Sequence, residues 1–509
     1  RKRSSRLGSI VNSTPRFVAA PDSEWPNSSA FGDGKYSVFR KSNEDRTPVV
    51  YAGSNDGMLH AFKGTSGEDG GEELLAYIPD FIYSTNTGEG LHYLTQPSYE
   101  HRYYVDLETR VTDMYIQGRN AAGGLSEAGW KTVLIGGGRA GAPGIFALDI
   151  TDPDSFSESN AQSTVLWEFT HEKLGNLVQP PVVSMADWGG GDYRWTAFVP
   201  SGYNTGSTGF FMLDMEGGLD GSWDNGDFEY IEFESGDGLS ALTVIDNTSD
   251  YIADRVYAGD LDGNMWVAVG ENGGWDSAYK SGSSARPYVT VNKPITGAPT
   301  VGPSASSGKD PNLMILFGTG KYLERSDTGS TEEQSFYGVL ETGDNKQTVT
   351  QADLVERDLR VGTGQVDGVS QIIRFAEGTA VDYETKSGWY ADLPVSGERI
   401  VTNGVIRGDY VYVSTLIPSE DPCLGGGDGW IMAFDIQEGL VGLDDGESIG
   451  AFEDSTYNAM GYKVEGVPSQ LKVWDEYLAY DCAGCGAQLD ALPPFGLALG
   501  RKGWRELTQ

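Results

Sequence analysis

The sequence predicts an all-β fold of the propeller class, and two observations carry that prediction. Glycine makes up 70 of the 509 residues, well above its usual share of roughly 7%, while stretches with helical periodicity are scarce. So much glycine, together with aspartate, asparagine and serine, is typical of a protein with many tight turns. The second observation is an internal repeat that pairs two apolar strands in each copy.

Six segments share the repeat. In each, an apolar strand ends in a glycine-containing motif, and after a variable turn a glycine opens a second apolar strand. Strand signals that begin near a proline, at 15–18, 180–183 and 298–301, bring some units to about four strands, as in a propeller blade. The copies are farther apart than the ~40–50 residues of compact propeller repeats, so we expect long inserted loops. The anchoring glycines are Gly57, Gly144, Gly209, Gly263, Gly338 and Gly429.

We expect the two ends of the chain to complete the ring. Residues 494–507 have the pattern of an apolar stretch, a glycine-rich turn and a strand, and residues 7–11 that of another strand. Pairing them would remove exposed sheet edges. No composition shift marks a linker, so 1–509 is predicted to be one domain. The strongest helix pattern is a short one at 349–357.

The charge of the chain excludes some functions. A formal net charge of −38 argues against nucleic acid, whose phosphates require a basic surface, and against anionic membranes. No apolar run approaches the ~18 residues needed to cross a bilayer, so no membrane insertion is expected. Such acidity keeps a surface soluble, attracts cations, and in some organisms reflects a salty habitat.

One acidic loop stands out between two predicted strands. Asp246, Thr248, Asp250 and Asp254 occupy positions 1, 3, 5 and 9 of the loop, and Ile252 at position 7 can lend its carbonyl. Alternating oxygen ligands of this kind surround hard cations such as Ca²⁺. The spacing alone leaves two interpretations open, a calcium-binding loop and an acidic surface turn, because the bidentate glutamate of an EF-hand is missing.

Two departures weaken the calcium pattern. Thr248 offers a neutral ligand where a carboxylate or amide is usual. Tyr251 stands where glycine usually makes the sharp turn, and a bulky residue with positive φ is strained by on the order of 1 kcal/mol or more. We therefore expect any calcium affinity to be lower than that of a glycine-containing loop.

The three cysteines lie late in the chain. Cys482 and Cys485 form a Cys-x-x-Cys motif, with Cys423 as an alternative partner. No βαβ pattern surrounds the motif, so a structural disulfide formed outside the cytoplasm is the favoured interpretation over a redox centre. A zinc site would need a fourth ligand.

Five stretches together resemble the C-terminal propeller domain of the PilY family of type IV pilus proteins. Two of them are Val50-Tyr-Ala-Gly-Ser-Asn-Asp-Gly-Met-Leu-His-Ala-Phe62 and Asp254-Arg-Val-Tyr-Ala-Gly-Asp-Leu-Asp-Gly-Asn-Met-Trp266. The others lie at 6–15, 316–323 and 500–507. Because the stretches occur from one end to the other, the resemblance covers nearly the whole chain.

The resemblance implies a modified seven-bladed β-propeller with long inserted loops, and Ca²⁺ in the loop 246–254. It implies a tip adhesin or biogenesis factor, not an enzyme, that supports pilus assembly, retraction control, surface attachment and twitching motility. Its partners would be pilin and minor pilin subunits at the pilus tip, and a host or abiotic surface. It would be exported through the periplasm of a Gram-negative bacterium to the cell surface. An N-terminal part of the full-length protein is expected to be absent, because the chain begins Arg1-Lys2-Arg3 without a signal peptide.

Two other function classes stay open. The propellers of quinoprotein dehydrogenases contain a repeat motif similar to Tyr-Ala-Gly-Ser-x-Asp-Gly-x-Leu-x-Ala-Phe. Those enzymes generally need a vicinal cysteine pair, however, and no two cysteines are adjacent here. A glycan-binding extracellular propeller is the other alternative.

Overall fold

The computed structural model describes residues 7–509 except 235, 237, 272, 305–310, 344–346, 367–368, 420–426, 441–449, 453–457, 475–476, 483–486, 492–504 and 507–509. Antiparallel strands dominate, and in the described ranges the helices are short and lie in connections. The α-helices are α1 (Tyr36–Ser42), α2 (Gly90–Tyr93) and α3 (Ala161–Thr164). The 3-10 helices are Ser29–Phe31, Asp80–Ile82, Pro153–Ser155, Glu158–Asn160, Gly217–Asp220, Arg325–Gly329 and Gln351–Asp353.

The first three blades are antiparallel sheets whose strands follow chain order. Their central hairpins keep a continuous register, as in the pairing of Tyr51 with Ala61. The strands of the first blade are β1 (Arg16–Val18), β2 (Val49–Ser54), β3 (Met58–Lys63) and β4 (Glu73–Tyr77). Those of the second are β5 (Arg110–Ile116), β6 (Gly129–Gly137), β7 (Ile145–Asp149) and β8 (Val165–Phe169). Those of the third are β9 (Val182–Asp187), β10 (Tyr193–Pro200), β11 (Thr208–Asp214) and β12 (Phe228–Glu234).

The fourth blade takes up strands from distant parts of the chain. Its core is β13 (Leu239–Asp246), β15 (Arg255–Asp260) and β16 (Asn264–Gly270), while β14 (Ile252–Ala253) leaves it to join the third blade. Shorter strands complete it: β17 (Trp275–Ser277), β20 (Val289–Thr290), β24 (Val349–Thr350) and β37 (Arg505–Glu506). The strands β18 (Lys280–Ser281) and β19 (Ser284–Ala285) form a separate two-stranded sheet.

The later strands form one continuous sheet and one small sheet. The fifth blade contains β21 (Thr300–Pro303), β22 (Leu313–Gly318), β23 (Ser335–Glu341) and β27 (Gly388–Asp392). A long hairpin, β25 (Val355–Val366) and β26 (Val369–Glu377), pairs in parallel with β27 and fuses this blade to the next. That next unit contains β28 (Val405–Arg407), β29 (Tyr410–Pro418), β30 (Gly427–Asp435) and β33 (Gly461–Glu465), with β31 (Gly450–Phe452) and β32 (Asn458–Ala459) attached. The small sheet contains β34 (Lys472–Trp474), β35 (Tyr477–Tyr480) and β36 (Gln488–Ala491).

The all-β propeller class is confirmed, and all six predicted strand pairs are hairpins in the structure. The described sheets are not seven separate blades, because the fifth is fused to its successor. The helix predicted at 349–357 is wrong. Thr350 and Asp353 form a reciprocal capping box around a single 3-10 turn, and Val355 then pairs in parallel with Trp389.

The predicted pairing of the two chain ends is also wrong. The described C-terminal strand β37 pairs with Ile245 and Asp246 of β13. Residues 7–11 form no strand. They dock on the first blade through polar contacts, such as the hydrogen bond from the Gly8 amide to Asp56 Oδ2 at 2.8 Å. An amide that donates to a carboxylate is not available for a sheet ladder.

Apolar clusters fill the spaces between successive blades, and amide side chains join several of the loops between strands. Asn403 Oδ1 accepts hydrogen bonds from Gln179 Nε2 at 2.6 Å and from the Ala298 amide at 2.8 Å. The side chain of Gln470 pairs with the backbone of Asn403 in both directions, at 2.8 Å each. Loops that lead into three different sheets, namely the third blade, the continuous later sheet and the small sheet, are therefore tied together.

The anchoring glycines of the repeat have two different roles. Gly57 and Gly263 lie in hairpin turns with φ of 97° and 86°, where glycine is favoured because it lacks a Cβ. The other four lie in or beside strands, where a Cβ would come within 2.5 Å of a neighbouring atom.

A buried histidine in the first blade links two acidic side chains. His60 is 4% exposed; its Nδ1 lies 2.6 Å from Glu73 Oε1 and its Nε2 3.2 Å from Asp56 Oδ1. Burial alone would lower the pKa of His60, but the hydrogen bonds with Asp56 and Glu73 raise it above its usual value. Burial would raise the pKa of Asp56, but its hydrogen bonds with His60 and with the Gly8 amide lower it below its usual value.

We expect the free energy of unfolding to fall as the pH rises through the folded-state pKa of His60. A raised folded-state pKa gives stabilisation that is complete below the unfolded value of about 6.5 and lost above the folded value. His60→Gln should be less stable by about 1–3 kcal/mol at about pH 5.5, and should lack this part of the pH dependence. Denaturant titrations of both proteins at about pH 5.5 and pH 9 measure it. An identical pH dependence in the two proteins would contradict the assignment.

Candidate functional site

The candidate site is the cation loop, residues 246–254, which joins two blades. It starts at the last residue of β13 in the fourth blade and ends just before β15. Within it, Ile252 and Ala253 pair in parallel with Met185 and Ala186 of the third blade. The ends of the loop thus belong to one blade and its middle to the neighbouring one.

The carboxylate of Asp246 organises the first half of the loop. The side chain is 0% exposed. Its Oδ1 accepts hydrogen bonds from the amides of Ser249 at 2.5 Å and Asp250 at 3.2 Å, and its Oδ2 from the amide of Tyr251 at 2.7 Å. The hydroxyl of Thr248 donates to Oδ1 at 3.4 Å. The chain therefore wraps around a buried negative charge.

Asp254 accepts hydrogen bonds from backbone amides at the other end of the loop. Its Oδ2 accepts hydrogen bonds from the amides of Asn247 at 2.6 Å and Thr248 at 2.9 Å. Burial raises the pKa of Asp254; the two amide hydrogen bonds oppose that rise, and the charges of Asp246 and Asp250 add to it. Three carboxylates in one loop thus repel one another.

The structure brings the five predicted ligand residues, Asp246, Thr248, Asp250, Ile252 and Asp254, into one loop. Asp250 Oδ1 accepts the Ile252 amide at 2.9 Å, whereas Asp250 Oδ2 and Asp254 Oδ1 accept no hydrogen bond from the described residues. A carboxylate has about four lone-pair sites, so these amide contacts leave capacity for a cation. The oxygen-only donor set fits a hard cation such as Ca²⁺.

The present side-chain arrangement fits a cation only in part. Across the described ranges, no group of three or more His, Cys, Asp or Glu side chains is arranged to hold a metal ion. The carboxylates of the cation loop are turned toward backbone amides. Rotation of exposed Asp250 about its side-chain bonds would be needed to bring a third carboxylate to an ion.

The backbone strain predicted at Tyr251 is present. Tyr251 has φ of 71° and Ser249 has φ of 64°, and both values lie in the left-handed region that favours glycine. The ring of Tyr251 packs against Trp25 and Phe31, with centroid distances of 6.0 and 5.7 Å. We call Trp25 and Phe31 the aromatic seat. The sequence gives no signal for it, because more than 200 residues separate it from the loop.

A buried ion pair follows directly after the loop and was not predicted. Arg255 Nη2 lies 2.5 Å from Glu341 Oε1, and the Glu341 side chain is 0% exposed. The hydroxyls of Tyr257 and Tyr279 donate to the same carboxylate at 2.5 and 2.7 Å. Burial would lower the pKa of Arg255, but the charge of Glu341 raises it above its usual value. The pair joins the fourth blade to the fifth.

A cavity of about 460 Å³ lies between the cation loop and this ion pair. Asn247, Thr248 and Asp254 line it on the loop side, and Arg255 and Tyr279 on the other. Its volume is within the range of small-molecule pockets, roughly 300–1,000 Å³.

The predicted disulfide is only partly visible. Cys482 is disulfide-bonded. Cys423 and Cys485, the two candidate partners, both lie outside the described residues. The choice between them stays a prediction.

In the part of the chain that the structure describes, no helix has the length and apolar character needed to span a bilayer.

Successive, mostly antiparallel sheets that pack against one another through apolar clusters define a β-propeller. The family model of the PilY1 β-propeller domain matches residues 7–366. The chain therefore belongs to the PilY1 family.

Named relatives support the same family. The chain is 30% identical over 484 residues to a type IV pilus biogenesis factor PilY1 homolog of Xylella fastidiosa, covering 87% of this chain and 30% of the relative. It is 29% identical over 484 residues to the type IV pilus biogenesis factor PilY1 of Pseudomonas aeruginosa PAO1, covering 86% and 38%. The chain thus spans about a third of the length of these relatives.

A solved structure shares the fold. The crystal structure of the Pseudomonas aeruginosa PilY1 C-terminal domain aligns with a TM-score of 0.69 at 23% identity, over 93% of this chain and 99% of the other. At that identity the likeness concerns the fold.

We expect Glu341→Gln to destabilise the protein by about 3–5 kcal/mol, because it leaves the buried Arg255 charge without compensation. The matched control is Glu44→Gln, which breaks the exposed Lys41–Glu44 pair and should cost less than about 1 kcal/mol. Denaturant midpoints report both changes. Equal effects of the two substitutions would show that the buried pair does not hold the fourth and fifth blades together.

Proposed function

We propose that this chain is the propeller of a calcium-binding, type IV pilus-associated tip adhesin or biogenesis factor. The observation that carries the pilus assignment is the family match, supported by relatives whose names describe pilus biogenesis factors. The observation that carries the calcium assignment is the oxygen-only donor set of the cation loop. The role covers pilus assembly, retraction control and surface attachment.

Calcium would be held by the carboxylates of Asp246, Asp250 and Asp254, with the Thr248 hydroxyl and the Ile252 carbonyl as neutral ligands. When bound, the divalent cation neutralises the carboxylates, which otherwise repel one another. The hydrogen bonds from loop amides to Asp246 hold the loop backbone in a turn around its carboxylate. Because the middle of the loop pairs with β9, a fixed loop holds the third and fourth blades at a fixed separation.

The ring has seven blades in this proposal. Six apolar clusters separate successive sheets in the described part of the chain, and six interfaces in a row require seven units. The sixth unit is the sheet of β28, β29, β30 and β33, and the seventh is the sheet of β34 to β36. The hairpin of β25 and β26 is then an insertion that fuses the fifth and sixth blades.

The protein would act outside the cytoplasm, at the pilus tip on the cell surface, after export through the periplasm. The disulfide at Cys482 supports this location, because disulfides persist in oxidising compartments. Pilin and minor pilin subunits are the proposed partners, and a host or abiotic surface is the proposed target of adhesion. With a net charge of −38, electrostatic attraction favours basic patches on those partners.

We expect calcium to bind the wild-type chain and Asp250→Asn to weaken that binding at least about tenfold, because it removes one ligand charge. Asparagine keeps an acceptor for the Ile252 amide, so this variant should fold normally. Isothermal titration calorimetry with calcium chloride measures the affinity.

The matched control for this titration is Asp262→Asn. Asp262 is exposed in the neighbouring hairpin turn, and its removal should leave calcium affinity unchanged. Absence of binding heat in the wild-type chain, or equal effects of both substitutions, would refute the calcium assignment.

We expect the wild-type chain to bind purified minor pilins of its own organism more tightly in calcium than in excess chelator. An ordered loop fixes the junction of two blades and leaves less conformational freedom to lose on binding. Biolayer interferometry with immobilised chain gives both dissociation constants. Asp250→Asn should show the chelator value under both conditions, and a wild-type affinity that does not respond to calcium would contradict the coupling of metal and partner.

A further inference from the structure

We propose that Tyr251 couples the cation loop to segment 19–48, the stretch of chain between β1 and β2, so that cation binding and ordering of this segment stabilise each other. The inference rests on the proposed calcium site and adds a second, distant element to it. Segment 19–48 contains the aromatic seat and helix α1.

Tyr251 takes part in both structures through different atoms. Its amide donates to Asp246 Oδ2 at 2.7 Å, inside the cation loop. Its ring packs against Trp25 and Phe31 of segment 19–48, and the contact with Phe31 is edge-on at an interplanar angle of 74°. A change in the loop backbone at this residue must therefore move the ring against the seat.

The conformation of Tyr251 makes this contact necessary. A tyrosine at φ of 71° is disfavoured relative to glycine or asparagine. The aromatic contacts offset that strain, since such pairs stabilise beyond the area that they bury. The ring thus holds the loop in a shape that the tyrosine backbone alone would not prefer.

The seat is built into a larger packed unit. Trp25 contacts Trp195 of the third blade edge-on at 4.8 Å, and Phe31 is 5% exposed. Farther along segment 19–48, the Tyr36 hydroxyl donates to buried Asp113 of the second blade at 2.6 Å. The segment therefore connects the loop to two blades.

The seat also carries an unsatisfied group. The indole N–H of Trp25 is buried and has no hydrogen-bond partner among the described residues. A buried donor without an acceptor is unfavourable, so packing, including the ring of Tyr251, must hold Trp25 in place. Loss of the loop conformation removes part of that packing.

Coupling of this kind is reciprocal. If cation binding favours the ordered segment, the ordered segment raises cation affinity by the same factor. Both directions can be measured with calcium alone as the probe.

The first test is amide hydrogen exchange of segment 19–48 with and without calcium. In the wild-type chain, exchange should slow when calcium is added. Tyr251→Asn keeps a residue that tolerates the left-handed turn and removes the ring, so it should still bind calcium while exchange in the segment no longer responds. An unresponsive segment in the calcium-bound wild-type chain, or a wild-type response in Tyr251→Asn, would overturn the coupling.

The second test measures, by isothermal titration calorimetry, the calcium affinity of a variant of the aromatic seat. Trp25→Leu should lower calcium affinity about three- to tenfold, the loss expected for one aromatic contact. The matched control is Trp223→Leu, a tryptophan of similar burial that packs on Trp167 and Phe169 instead, and it should leave the affinity unchanged. Equal affinities of the two variants would refute the coupling, whereas a wild-type chain without any calcium binding would refute the calcium site as well.

Discussion

Each blade of a propeller is covered on both faces by its neighbours, and the rest of this structure depends on that constraint. Strands with two buried faces must be apolar on both sides, so any charged group between blades needs a partner. Arg255 and Glu341 satisfy this requirement between the fourth and fifth blades, as Arg374 and Glu398 do in the fused sheet, where both side chains are 0% exposed. Asp246 satisfies it with backbone amides, and the acceptor capacity left for a cation lies on Asp250 and Asp254 of the same loop.

Local sequence signals predicted the features that depend on local chemistry. The hairpins at Gly57 and Gly263 were predictable because an Asp-Gly pair in a tight turn specifies positive φ for glycine. The strain at Tyr251 was predictable because the loop spacing puts that residue where glycine usually stands. The five oxygen-bearing positions of the cation loop were predictable from alternation alone.

Long-range contacts explain what the sequence did not predict. Glu341 is 86 residues from Arg255, and no local pattern connects the two. The strand β37 pairs with β13 at Asp246 and not with the N-terminal residues. Gly8 donates its amide to Asp56, so the expected pairing of the two chain ends does not form. The 349–357 stretch has helical periodicity, but parallel pairing of Val355 with Trp389 supplies backbone hydrogen bonds that a short helix cannot match.

Binding of calcium by the cation loop between two blades is tested best by a crystal structure of the protein grown in calcium. We expect an ion with oxygen ligands at about 2.3–2.6 Å, contacted by Asp246, Asp250 and Asp254, with the Asp250 side chain rotated toward it. If crystals grown in millimolar calcium showed no ion in the loop, and the carboxylates were still bonded only to loop amides, calcium binding by this loop would be contradicted.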